Sequence, residues 1–411
     1  MKINKHCFPN GLRLVHYEDT STQMVALNIV YDVGARDEHP EHTGFAHLFE
    51  HLMFGGSAHI PDYDTPLQLA GGENNAWTNN DITNYYLTVP KPNVETAFWL
   101  ESDRMLELAF SEQSLEVQRG VVMEEFKQRC LNQPYGDVGH LFRPLAFRVH
   151  PYRWPTIGKE LSHIEQATLD EVKSFFYRFY APNNAVLAVT GNISWDETVK
   201  LTEKWFAPIP RRDVPVRQLP QEPEQTQERR LTVERNVPLD ALFMGYHMCS
   251  REGADYYAFD ILSDILSNGR SSRLNRRLVQ EQNIFSGIDA YISGTRDAGL
   301  LQISGKPAAG VSLEQAEAAV RKELEELQRS PVDGQELEKV KNKFESTQIF
   351  GNINYLNVAT NLAWFELTGK AEDIDLEVKR YRSVTTEQLH TVAQRTFCES
   401  NAVVLYYKSD K

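Results

Sequence analysis

The sequence predicts an α+β fold built twice: two homologous domains, each a mainly antiparallel sheet with helices packed on one face. An internal repeat is the first sign. TLDEVKSFFYRFYAPNNAVLAV (Thr168 to Val189) aligns without gaps on TTEQLHTVAQRTFCESNAVVLY (Thr385 to Tyr406), a displacement of 385 − 168 = 217 residues. Each copy opens with Thr and an acid or amide three residues on (Glu171, Gln388), a capping-box pattern, and ends in an apolar strand. The second sign is the stretch from Phe206 to Glu234, near mid-chain, with five prolines and almost no apolar periodicity. Such composition reads as an extended linker. The third is the order within each half, where strand-like runs precede a gathering of helices. The expected boundaries are a domain over 1–208, a linker over 209–232 and a second domain over 233–411.

Taken in order, LRLVHY and MVALNIVYDVGA read as strands, and GFAHLFEHLMFGG (Gly44 to Gly56) as a helix. NNAWTNNDITNYYLTV follows as a strand and hairpin region, and NVETAFWLESDRMLELA and SLEVQRGVVMEEFKQRC as helices. The second half repeats the plan with LTVERNV, ALFMGYHM and AFDILSDILS.

Of the 411 residues, 41% are apolar and 24% charged, an ordinary globular balance. The net charge of −14 argues against nucleic-acid partners, which would be repelled, and suits basic peptides. No apolar run reaches the length of a membrane span. The first residues lack the continuous apolar core of a signal peptide. Cys7, Cys130, Cys249 and Cys398 lie far apart with no C-x-x-C pair, which fits reduced thiols, so the expected compartment is the cytoplasm.

Chemistry concentrates in HLFEH. Residues four apart share a helix face, so His47 and His51 can both present imidazole nitrogens to one ion, and Glu50 projects from nearly the same face. A catalytic zinc takes three protein ligands and leaves a position for water. An adjacent carboxylate then removes that water's proton. H-x-x-E-H is the inverted form of the H-E-x-x-H metalloprotease motif. Two histidines on an apolar helix can also be satisfied core residues, and spacing alone does not find the third ligand.

These segments resemble the pitrilysin-like, or M16, zinc peptidases, the family of insulin-degrading enzyme and mitochondrial processing peptidase. The resemblance covers nearly the whole chain: FPNGLRLVHYED, HLFEH, GGENNAWTNNDITNYY, RGVVMEE and SSRLNRRLV. It implies one zinc per chain and a third ligand at the end of a motif like ERxVVxxE. That position is Glu125, 125 − 51 = 74 residues beyond His51, with Glu124 as the second choice. Many members carry a further glutamate seven residues before the ligand, where this chain has Gln118, expected to tune the site through a hydrogen bond. The resemblance also makes the segment with Gly71, Gly72, Asn75, Ala76 and Trp77 a strand edge that pairs with substrate backbone. Without it, the segment reads as an ordinary hairpin.

Laying AFDILSDIL over FAHLFEHLM puts Asp260, Ser263 and Asp264 at the motif positions, so the second half is expected to hold no metal. Family members often aim an arginine and a tyrosine from the second half at the substrate carbonyl; here those positions hold Gln280 and Ser286. Arg273, Arg276, Arg277 and Tyr291 lie nearby in sequence. The resemblance thus implies a zinc endopeptidase acting on peptides or unfolded segments inside a dimeric clamshell, with Glu50 activating the zinc-bound water. The partner is expected to be a second copy or a related subunit. Two rivals are a fold-retaining subunit inactive without its partner, and a zinc lyase acting on a small thioether.

Overall fold

The computed structural model describes residues 1–410. The first sheet holds β1 (Ile3–Cys7), β2 (Arg13–Glu18), β3 (Met24–Tyr31), β4 (Glu73–Thr78), β5 (Thr83–Pro90) and β6 (Ala185–Gly191), in the order β1-β2-β6-β3-β5-β4. The second holds β7 (Arg229–Arg235), β8 (Ala241–His247), β9 (Phe285–Ile292), β10 (Leu300–Pro307) and β11 (Ala402–Ser409), in the order β7-β11-β8-β10-β9. Without β1, the two orders superpose strand for strand. The repeat supplies β6 and β11, whose first residues, Ala185 and Ala402, are 402 − 185 = 217 apart. Each lies parallel to the first strand of its superposed order (β6 to β2, β11 to β7), and all other pairings are antiparallel. The capping box at Thr168 is present as read: its hydroxyl accepts the Glu171 N–H, and the Glu171 carboxylate accepts the Thr168 N–H.

Every residue of β6 is buried, because its sheet is covered on both faces. One face packs on the helices of its own half, through Leu27, Leu87, Leu187 and Val189 against Leu48, Phe49, Phe98 and Phe176. The other face, Val15, Ala26, Val30, Val186 and Ala188, packs on a helix from the second half, Tyr355–Thr368. Conversely, the helix Val138–Ala146 of the first half packs Phe142 and Ala146 on Val403 and Leu405 of the second sheet. Compact units therefore do not follow the linear boundaries at 208 and 233. One comprises residues 1–131, 154–220 and 349–376; the other comprises 132–153, 221–348 and 377 onward.

The proline-rich stretch is extended but laid down. Arg217 bonds Asp37 and the Asp32 carbonyl on the first unit. On the second, Glu222 accepts the N–H groups of Arg148, Val149 and His150. The last residues of the expected linker, from Arg229 on, already belong to β7.

Candidate metal centre

His47 and His51 sit on the helix Phe45–Leu52, and Glu125 in the last turn of the helix Glu112–Phe126. Leu48, Phe49 and Leu52 share one buried cluster with Leu115 and Val122, and that packing brings the two helices together. Glu125 Oε2 lies 3.6 Å from His47 Nε2 and 3.3 Å from His51 Nε2. Tetrahedral zinc with bonds of about 2.1 Å holds its ligand atoms roughly 3.4 Å apart, so the trio fits such an ion. Among the described residues it is also the one His/Cys/Asp/Glu group whose ligand atoms all lie within 4.8 Å of one another.

The protonation states suit a cation. Burial pushes His47 down to about 4, aided by His51 and Arg129 and opposed by Glu125, so the imidazole is neutral near pH 7. The hydrogen bond from His51 leads in holding the Glu125 carboxyl below its usual range. Arg129, on the π-helical turn that follows, sets its Nε 2.9 Å from Glu125 Oε1 and leaves Oε2 to face the imidazoles. Glu124 points elsewhere: its side chain is 57% exposed, 3.9 Å from Lys127. His47 Nδ1 is buried without a protein hydrogen-bond partner.

Burial raises the Glu50 carboxyl, and a hydrogen bond from Thr78 pulls it back. Thr78 ends β4, so the carboxylate expected to act as base lies beside the edge strand. On that strand the Ala76 N–H is taken by the neighbouring Asn75 Oδ1 at 2.8 Å and so is not spent on β5. Trp77 packs against the cluster that includes Val30, Ile82 and Leu362, and Ala76 against the one on the opposite face. Gly72 has an inward reason to be glycine: a Cβ there would sit 2.4 Å from Leu67 Cδ1 and 2.7 Å from Val89 Cγ1. Gly71, at φ +74°, makes the turn into β4. Gln118 is half-buried two turns before Glu125, but among the described residues no hydrogen bond joins it to His47, His51 or Glu125.

Sequence reading missed three neighbours: Arg129, Thr78 and Glu38. Arg129 follows Glu125 by four residues, a spacing that signals a helical ion pair. Glu38 has no local signal. Its two oxygens accept the Gly44 and Ala46 N–H groups, both at 2.9 Å, at the start of the Phe45–Leu52 helix. Burial drives its carboxyl up to about 8 against the pull of those two donors.

The profile of the insulinase family, peptidase family M16, matches residues 13–137, and that of the M16 inactive domain matches 166–344. The chain belongs to the M16 peptidase family. Similar proteins include the zinc protease PqqE of Helicobacter pylori, 26% identical over 97% of this M16 chain and 91% of that protein. An uncharacterized zinc protease of Bacillus subtilis, YmxG, is 25% identical over 98% of each. The crystal structure of a protease from Helicobacter pylori superposes with a TM-score of 0.94 at 26% identity, covering 99% of both chains. The periplasmic protease PqqL of Escherichia coli, at 18% identity and a TM-score of 0.81, is covered over 47% of its length, against 99% of this chain. This M16 chain is therefore a half-length member. No helix among its described residues is long and apolar enough to cross a membrane.

In the second unit the motif-equivalent helix is Tyr256–Ser267. Asp260, pushed up to about 6 by burial, takes the Tyr381 hydroxyl at 2.5 Å, and Asp264 binds Asn268 at 2.6 Å. Gln280 donates to the Arg270 carbonyl and Ser286 to the Lys306 carbonyl. Arg273 is paired with Glu336, and Arg277 with Glu323 and Glu326. Arg276 and Tyr291 are about half exposed.

Proposed function

We propose that the chain is a zinc-dependent endopeptidase for peptides or unfolded segments, with zinc held by His47, His51 and Glu125. One observation carries this reading. The base candidate Glu50 shares a helix with two imidazoles that converge on Glu125, and Thr78, which lowers its carboxyl, ends a sheet edge able to take up an extended peptide. Zinc bound there supplies a Lewis acid for the scissile carbonyl and lowers the pKa of water. A substrate strand pairs with the edge at Asn75 to Trp77, the Ala76 N–H exchanging its Asn75 bond for a substrate carbonyl. Glu50 takes the proton of the attacking water on its carboxylate and hands it to the leaving amide nitrogen, so the peptide bond breaks as carboxylic acid and amine form. Gly72, locked against Leu67 and Val89, sets the start of that edge.

The test is cleavage of an unstructured peptide by the purified chain, with metal content assayed alongside. Glu50→Gln is expected to lose about 10²–10⁴-fold in rate and to keep its zinc. Cleavage surviving in Glu50→Gln overturns the role of Glu50, and absence of zinc from the wild type overturns the whole reading.

A second reading is favoured by Gln280 and Ser286, whose side chains are both committed to carbonyls of their own unit. We propose that the chain works as a dimer, with itself or with a related subunit that supplies the cationic and phenolic groups missing here. Stoichiometric zinc without cleavage until such a subunit is added supports it. The wide spacing of the four cysteines, with no C-x-x-C pair, supports a reducing compartment such as the cytoplasm.

A further inference from the structure

The helix that presents His47, Glu50 and His51 has only eight residues and begins at Gly44, in the left-handed region at φ +89° with no side-chain cap of its own. Its leading N–H groups are met from outside, by Glu38: Oε2 accepts from Gly44 and Oε1 from Ala46, the residue just before the first histidine. Glu38 is itself buried, at 7% exposure.

What lies behind Glu38 gives the clamp its meaning. It closes the one-turn helix Ala35–Asp37, which is stitched to the turn between β4 and β5. The Ala35 and Arg36 N–H groups donate to the carbonyls of Asn79 and Asn80, at 3.1 and 2.9 Å. The buried Arg36 guanidinium lies 3.2 Å from Asp81, and Asp37 accepts the Gly34 N–H at 3.0 Å and is paired with Arg217. Residues 79–81 directly follow Thr78, the last residue of the edge strand β4. One path thus runs from the end of the edge strand, through Ala35–Asp37 and the Glu38 carboxyl group, to the first turn of the metal helix.

We infer that Glu38 is a positioning residue of the metal centre, its two carboxyl oxygens tying the helix of His47, Glu50 and His51 to the strand that would carry the substrate. The inference rests on the function proposed above and adds a residue outside the motif. Both oxygens are needed. Glutamine keeps the size but offers one acceptor, leaving the Gly44 or Ala46 N–H against its amide group.

The test is a zinc titration against a chromophoric chelator for wild type, Glu38→Gln and, as a control, Glu41→Gln, with melting of each metal-free protein followed by circular dichroism. Glu38→Gln is expected to bind zinc about tenfold more weakly or worse, the range for lost outer partners of metal ligands. Its kcat on an unstructured peptide falls while KM stays, and Glu41→Gln matches wild type. A folded Glu38→Gln with wild-type zinc affinity overturns the inference, even if it melts earlier, because that is the behaviour of a cap that only stabilises. If Glu38→Gln does not fold, Glu38→Asp decides, since it keeps both carboxyl oxygens but withdraws them by one methylene; undiminished zinc affinity there overturns the inference as well. A wild type that binds no zinc would overturn the proposed function instead.

Discussion

At Glu50 burial raises the carboxyl, and Thr78 leads the influences that lower it, ahead of His51 and Arg129. A general base works only when ionised, so activity is lost as pH falls through its pKa. Thr78→Val removes the larger lowering influence and leaves burial opposed only by the charges of His51 and Arg129. The acid limb of the kcat/KM profile is therefore expected to move to higher pH, with activity at pH 8 to 9 changed less than at pH 6. A limb that stays put would show that Thr78 does not hold the base. Among the ligands, His51→Ala is expected to abolish stoichiometric zinc, as read by metal analysis after dialysis, because two remaining ligands do not complete the set a catalytic zinc takes. Glu124→Gln is expected to retain it, since that side chain points to solvent. The HLFEH constellation was legible because helical spacing alone puts its three side chains on one face. Glu125 was not legible in that way, because its meeting with His47 depends on how two helices pack.

Helices carry two further expectations. Gly44 begins the metal helix at φ +89°, and a Cβ there would meet Ile164 Cδ1 at 2.7 Å and the Ile157 carbonyl oxygen at 2.8 Å. Gly44→Ala is thus strained twice, by backbone and by space, and should cost about 1–3 kcal/mol, measured by urea denaturation. The helix Tyr355–Thr368 belongs by sequence to the second half and by packing to the first sheet. Leu362 is fully buried in the cluster it forms with Val15, Val30 and Val186. Leu362→Ala should cost about 2–5 kcal/mol in the same measurement, the range for a truncated core leucine. A loss below about 1 kcal/mol would mean that this helix is not part of the first unit's core. The exchange of helices between halves was not legible, because an apolar helix face says that it is covered and not by which sheet.

For the whole molecule, acid stability has a identifiable source in the second unit. Glu317 is held at about 2, burial opposing but bonds from Arg230, Tyr406 and Arg321 prevailing, against an ordinary value of 4.5. A carboxyl depressed on folding adds stability that is fully present above its unfolded pKa and is lost as pH falls from there toward the folded value. The window is therefore pH 4.5 down to about 2. The contribution is about 2–3 kcal/mol, after discounting for the partial exposure of the arginines. Glu317→Gln is expected to flatten the fall of the urea midpoint between pH 5 and 3; an unaltered slope would assign the acid sensitivity elsewhere.

By itself, the sequence determined the doubled α+β architecture and the helix that carries His47, Glu50 and His51. Each of these rests on local periodicity or on a repeat that can be aligned residue by residue. The displacement of 217 returned as β6 and β11 in equivalent sheet positions. Only the tertiary structure decided which glutamate faces the imidazoles, which helix covers which sheet, and that Arg129, Thr78 and Glu38 surround the centre. Glu38 lies nine residues before His47 and Thr78 twenty-eight residues after Glu50, with no common period. Such contacts are set by the packing of whole elements, and that packing depends on apolar surfaces which do not encode their partners.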